Sequence, residues 1–281
     1  MGRVEGKVVA ITGAARGQGR SHAVRLAEEG ADIIAIDVCT DLEITEYSLG
    51  TQEDLRTTAL MVEKTGQRVV TRQADVRDRA ALETALSEGV AELGRLDAVV
   101  PNAALLPIGA HRTVSAFTDA VDVNVSGVFN TVHAALPHLE GGSSIVVIGS
   151  AAGFMPGRDP GPAGPGFAGY KFSKHVLVDY VNNLAVQLAP SGTRVNGVHP
   201  TNVDTVMIHN DTMYKTFRPD LDAPTRADAD EAFATMPAMP IPYVESIDVS
   251  HAVVYLIADE SRYVTGAHVR IDGGGLVRDS L

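Results

Sequence analysis

The sequence predicts an α/β fold: one parallel sheet covered by helices on both faces. Three observations predict it. Short β-branched runs alternate with helical patterns along the chain. Runs such as "VVAIT" and "IIAID" are continuously apolar rather than alternating, as strands buried on both faces are. A glycine-rich turn links the first strand to the first helix, where such sheets bind ligands.

The elements follow in order. "VVAIT" (Val8–Thr12) is the first strand. After the glycine turn, "RSHAVRLAEEG" sets Ala23, Val24, Leu26 and Ala27 on one helical face. "IIAID" (Ile33–Asp37) is the second strand and "RVVTRQAD" (Arg68–Asp75) the third. Leu82, Ala85, Leu86, Val90 and Leu93 then recur at helical spacing. "LDAVVPNA" (Leu96–Ala103), "SIVVIGS" (Ser144–Ser150), "RVNGVHP" (Arg194–Pro200) and "HVRID" (His268–Asp272) complete the strands. Helical stretches between them are Ser115–Leu136, Tyr170–Leu188 and Ile247–Ala258. No linker-like shift in composition cuts the chain and no repeat is visible, so residues 1–281 read as one domain.

Three segments look inserted. Cys39–Gln52 separates the second strand from its helix. Gly153–Gly166 is dense in Pro and Gly, which argues against helix or strand interior there. Val206–Tyr243 is long and Pro-punctuated, with a helix near Arg226–Ala234. Long connections of this kind are usually lids or binding loops, and 206–243 is read as a substrate lid.

The formal charge of −12 argues against nucleic acid or an anionic membrane as a main partner. Cys39 is the only cysteine, so no intrachain disulfide forms. No apolar run is long enough to span a bilayer, and the first residues carry no cleavage signal. The expected location is the cytoplasm. The nine histidines fall in no ligand spacing, so no metal is expected.

"TGAARGQG" (Thr12–Gly19) places glycines at 13, 17 and 19. They allow a sharp turn and a close approach of backbone to a pyrophosphate, and the following helix offers its unpaired N–H groups. Asp37 ends the second strand, where a carboxylate can accept from adenosine ribose hydroxyls and repel a 2′-phosphate. That favours NAD over NADP. Arg16 is a counter-signal, since it could pair with such a phosphate. Asp75 ends the third strand and could meet the adenine edge; Asp75–Asp78 could equally cap the next helix.

Gly13, Asp37, Asp75, Asn102, Ser150 and Pro200 all sit at strand carboxyl ends, hence around one crevice. Tyr170 and Lys174 stand four apart and share a helix face. A nearby ammonium lowers a phenol pKa from about 10, which would make Tyr170 a general acid/base. The Ser150 hydroxyl could hold the substrate oxygen, and Lys174 the nicotinamide ribose.

Together these features resemble the short-chain dehydrogenase/reductase family: the T-G-x-x-x-G-x-G loop, "NAA" (Asn102–Ala104), "NVSG" (Asn124–Gly127), "IGSAAG" (Ile148–Gly153), "YKFSK" (Tyr170–Lys174) and the C-terminal "VTG…DGG". The resemblance implies a Rossmann-type doubly wound sheet of seven strands in the order 3-2-1-4-5-6-7. It implies a catalytic tetrad of Asn124, Ser150, Tyr170 and Lys174, with Asn124 kinking the fourth helix to prop a proton-relay water. It implies a homotetramer. Cofactor contacts carried over are Gly13, Arg16, Gly17, Gln18, Gly19, Asp37, Val38, Asp75, Val76, Asn102, Ala103, Tyr170, Lys174, Pro200, Val203 and Thr205. A narrower likeness to the mycofactocin-associated, carveol-dehydrogenase-like subgroup rests on "GAARGQGRSHAVRLAEEGADIIAIDVC", "RQADVRD" and "MIHNDTMYKTFRPDL". It implies tightly held NAD, an external redox carrier and an apolar, terpenoid-like alcohol.

The chain departs from the family at Ala104 and Thr201, where glycine is usual, and in its long Ser150-to-Tyr170 interval. Apolar residues at Phe154, Met155, Phe167, Met207, Met213, Tyr214 and Phe217 suggest an apolar or cyclic substrate with one hydroxyl or carbonyl. Two other readings stay open: an NADPH-dependent 3-oxoacyl reductase, and a dinucleotide-binding protein without catalysis.

Overall fold

The computed structural model describes residues 2–155 and 163–278. The strands are β1 (Val8–Thr12), β2 (Asp32–Asp37), β3 (Val69–Gln73), β4 (Leu96–Val100), β5 (Leu139–Ile148), β6 (Arg194–Pro200) and β7 (His268–Ile271). They form one sheet in the order β3-β2-β1-β4-β5-β6-β7, with every neighbouring pair parallel. The helices are α1 (Gly17–Glu28), α2 (Gln52–Glu63), α3 (Arg79–Leu93), α4 (Ser115–Val121), α5 (Gly127–Ala135), α6 (Gly164–Leu188), α7 (Asp211–Phe217), α8 (Arg226–Phe233), α9 (Ser246–Ile257) and α10 (Gly275–Arg278).

The pleat sorts each strand between two cores. Val9 and Ile11 of β1 pack with Leu26 of α1, Leu55 of α2 and Val253 of α9. Val8 and Ala10 pack with Leu86 of α3, Val132 of α5 and Leu177 of α6. Both faces of β1 and β6 are therefore buried along their whole length, which is why their sequences do not alternate. Strand order reverses between β1 and β4, and the crevice for a ligand opens at their carboxyl ends. Among the described residues no helix is long and apolar enough to cross a membrane.

The boundaries differ from expectation for identifiable reasons. β4 ends at Val100 because Pro101 has no N–H to give the ladder. β5 begins at Leu139, and the register with β4 shifts between Leu96 and Ala98. The stretch read as one helix from Ser115 contains a π turn at Asp122–Ser126 between α4 and α5. α6 starts at Gly164 rather than at Tyr170, so Gly164–Gly166 are helical after all. Pro165 fits the first turn, where its missing N–H is not needed. A 3-10 turn at Ala151–Phe154 opens the same segment, and its middle, 156–162, lies outside the described residues. In 206–243, α8 lies where expected, while α7 had not been read from the sequence.

Candidate active site

At one end of the crevice the glycine turn closes on itself. Gly13 and Gly17 adopt φ of 69° and 52°, the left-handed region that favours glycine. A Cβ on Gly19 would overlap the Gly13 carbonyl. Arg16 occupies the N-cap position of α1 without a side-chain cap bond, and the first turn carries no acid. The first N–H groups of α1 are thus free of a competing carboxylate. Asn102 braces the turn from behind, its Nδ2 donating to the carbonyls of Thr12 (2.9 Å) and Gly13 (3.3 Å). Gln18 Oε1 is buried with no hydrogen-bond partner among the described residues.

Asp37 is 7 % exposed. Its carboxylate accepts from Ala15 N (2.9 Å) and Cys39 N (3.1 Å), which fixes it at the rim of the turn. Asp75 is ion-paired with Arg77 at 2.6 Å, while Asp78 caps α3 through Ala81 N. Of the two roles weighed for this pair, capping belongs to Asp78.

The segment between β2 and α2 crosses the crevice. Tyr47 and Leu49 are buried with Val76, Leu105 and Val123. Farther out, Glu46 pairs with Arg112 (2.6 Å) and His111 (3.0 Å). Residues from the β2 side thus reach the loop after β4. The sequence marked this segment as inserted but gave Tyr47 no role; a tyrosine in a polar insertion was the available signal.

At the other end, Ser150 leaves β5 in extended conformation, its Oγ accepting from Ala152 N at 3.1 Å. Ser150 and Tyr170 line the same cleft, close enough for the Ser150 hydroxyl to act on the Tyr170 phenol. Lys174 Nζ stands 5.6 Å from the Tyr170 ring centre and donates to the Ile148 carbonyl at 2.9 Å. One helical turn brings the two together, as their spacing requires. Their electrostatics differ from the sequence-based expectation. Burial pushes the Tyr170 phenol above its usual value, with Ser150 pulling it partly back, and pushes the Lys174 ammonium down to about 8. In the protein alone, loss of solvent dominates both groups, and Ser150 rather than the ammonium is what draws the phenol back.

Asn124 lies in the π turn and is fully buried. Its Oδ1 accepts from Leu105 N (2.7 Å) and its Nδ2 donates to Leu105 O (2.8 Å). Every residue picked from the sequence for cofactor contact lines one cleft of about 590 Å³, together with Ser150. Of the tetrad, Asn124 stands behind the cleft wall.

Ile108, Phe167, Met207, Met213 and Phe217 cluster with Tyr170 along the cleft, and Met155 lines it too. Two of the expected apolar residues do not. Phe154 turns away and meets the His199 ring edge-on at 4.8 Å, and Tyr214 hydrogen-bonds His209 within the 206–243 segment. The 206–243 segment is anchored at Asp204, which accepts from His209 Nε2 (2.6 Å) and Arg226 (3.1 Å). Arg226 also donates to the Tyr243 hydroxyl at 2.8 Å.

Comparison with known proteins agrees with this geometry. A family model described as "Enoyl-(Acyl carrier protein) reductase" matches residues 13–275. The chain is 44 % identical to (-)-trans-carveol dehydrogenase of Rhodococcus erythropolis, over 98 % of this chain and 99 % of the relative. The crystal structure of carveol dehydrogenase from Mycobacterium avium in complex with NAD superposes with a TM-score of 0.93 at 44 % identity, covering 99 % of this chain and 100 % of that one. A short chain dehydrogenase from Mycobacterium paratuberculosis bound to NAD gives 0.86 at 37 % identity, with 98 % and 100 % covered. With its glycine turn, its Ser150–Tyr170–Lys174 corner and this full-length similarity, the chain belongs to the short-chain dehydrogenase/reductase family.

Proposed function

We propose that the protein is an NAD-dependent dehydrogenase that interconverts an apolar, cyclic secondary alcohol and its ketone. The observation that carries the reading is one cleft with two chemistries. At one end a buried carboxylate, Asp37, stands beside a glycine turn. At the other, Tyr170 lies between Ser150 and Lys174. The unpartnered Gln18 oxygen and the uncapped α1 terminus suit a dinucleotide. Asp37 would hold the adenosine ribose, and its charge disfavours a 2′-phosphate. NAD, when bound, supplies the hydride acceptor for oxidation.

The chain's own part is proton chemistry. Ser150 holds the substrate oxygen, and Tyr170 takes its proton as hydride leaves the adjacent carbon. The Lys174 ammonium stabilises the Tyr170 phenolate that accepts this proton, and in the reverse direction the phenol returns it to the substrate oxygen. Asn124, through Leu105, keeps the wall and the π turn in register behind them. The apolar wall and the 206–243 lid favour a substrate with a single polar oxygen.

The carveol dehydrogenase relatives support a monoterpenoid-like alcohol. The cover formed by residues 39–51 supports tightly held NAD that is re-oxidised in place by an external carrier. Val114, Phe172 and Val186 expose apolar surface on and beside α4 and α6, which suits assembly of a homotetramer through these helices.

The decisive experiment starts with the protein as isolated. Denaturation should release NAD rather than NADP, and the protein should oxidise cyclic secondary alcohols when an artificial electron acceptor is present. Isolation without nicotinamide, followed by free turnover with added NAD, would remove the tight-binding reading. Preference for NADPH and 3-oxoacyl thioesters would overturn the dehydrogenase reading. Light scattering in solution tests the tetramer.

A further inference from the structure

Among the described residues the cover over the cofactor cleft is tied to the opposite wall at two places, and they differ in kind. The outer one is solvent-facing: Glu46 with Arg112 and His111, with Arg112 also donating to the Glu43 carbonyl at 3.4 Å. The inner one is buried. The Tyr47 hydroxyl, on a residue 8 % exposed, accepts from the backbone N–H of Leu106 at 3.0 Å. The same ring lies under the Arg16 guanidinium, 5.7 Å from its centre, and so touches the glycine turn as well.

Leu106 belongs to the substrate side. Its side chain packs with Ile108, Met213 and Phe233. Leu105, next to it, is clamped by Asn124. Two successive wall residues therefore have their backbone amides fixed from opposite directions. Leu105 is held from the helix behind and Leu106 from the cover in front.

We propose that Tyr47 is a positioning residue that couples cofactor retention to substrate binding, its phenol joining the cover of the nucleotide cleft to the backbone of the substrate wall. This rests on the reading of the cleft as a nucleotide and alcohol site. The physical reason is the cost of an unpaired buried amide. Swinging the cover away from Leu106 leaves its N–H without a partner in an apolar cluster. The wall is in place when the cover is closed and loosens when the cover opens. A substrate that needs the formed wall then holds the cover shut, and a held cover improves substrate binding by the same factor.

The test is Tyr47→Phe, which keeps the ring and its contact with Arg16 and removes only the oxygen. Four quantities are measured on the purified protein. They are substrate KM, kcat, the release rate of reduced nicotinamide followed by its fluorescence with and without a substrate analogue, and hydrogen exchange at the Leu106 amide. The expected result is a KM about five- to tenfold higher, with kcat changed less than about twofold. Release becomes faster and no longer slows when the analogue binds, and the Leu106 amide loses protection. Glu46→Gln, which loosens only the outer tie, should speed release while leaving KM and Leu106 protection near wild type.

Wild-type KM and Leu106 protection in Tyr47→Phe would overturn the proposal. So would identical profiles for the two variants, since cover opening alone would then explain both. A chain that binds no nicotinamide nucleotide would sink the reading of the site and the coupling with it. The exchange measurement would still report whether Tyr47 holds Leu106, which separates that failure from a failure of the tie itself.

Discussion

Replacing Lys174 with methionine should remove a specific pH dependence from the protein's stability. Lys174 is 2 % exposed, and burial moves its ammonium from 10.5 to about 8. The unfolded chain keeps that proton up to its ordinary value, while the folded chain sheds it near the lowered one. Between the two the unfolded state binds more protons, so stability rises with pH. At pH 7 both states carry the charge, and the folded state bears a penalty of about 3 kcal/mol. Roughly 2 kcal/mol of this returns by about pH 9.5. Methionine keeps an apolar stem and has no charge. Loss of the bond to the Ile148 carbonyl, 2.9 Å in the native protein, offsets the variant at every pH. Urea unfolding of both nucleotide-free proteins between pH 7 and 9.5 gives the difference curve. That curve should climb in favour of the native protein by about 2 kcal/mol. A curve flat to within about 0.5 kcal/mol would refute the reasoning, because no desolvated ammonium would then stand beside Tyr170.

Three further outcomes follow from the same geometry. Tyr170→Phe should lower kcat by about 10²–10⁴-fold while bound nucleotide, measured by release on denaturation, stays stoichiometric. Asn124→Ala should lose about 2–5 kcal/mol in urea unfolding, because Leu105 N–H and C=O are both left buried and unpaired. His22 is fully buried against Ser250, and burial pushes its imidazole down to about 3. The unfolded state therefore binds more protons from its ordinary value down to that one, and stability is lost as pH falls through this window. His22→Asn should show a shallower loss of unfolding free energy between about pH 6.5 and 4.5.

The parts of the fold that could be read from sequence are those where one physical demand dominates. β1 and β6 are buried on both faces, so their boundaries stand in the residue types themselves. Position along a parallel sheet also placed Asp37, Asn102 and Ser150 around one cleft without any contact being known. The sequence was less informative where two demands compete. Pro and Gly at Gly164–Gly166 signalled a loop, yet proline is tolerated in a first turn. The meeting of Tyr170 and Lys174 was legible from spacing, but the burial that raises the phenol and lowers the ammonium depends on the residues packed around the pair. Contacts between an insertion and a distant backbone amide, such as Tyr47 with Leu106, leave no periodic trace at all.

The entry of α6 has a consequence for how such a protein can diverge. A Cβ on Gly166 would collide with the Pro107 carbonyl oxygen, so the helix that carries Tyr170 rests there on bare main chain. The depth at which the Tyr170 phenol sits is set by a contact that contains no side chain. Met155, Phe167 or Met213, which line the cleft, can be exchanged to reshape it without shifting that resting point. A family of such enzymes can therefore change its diet while its chemistry stays anchored.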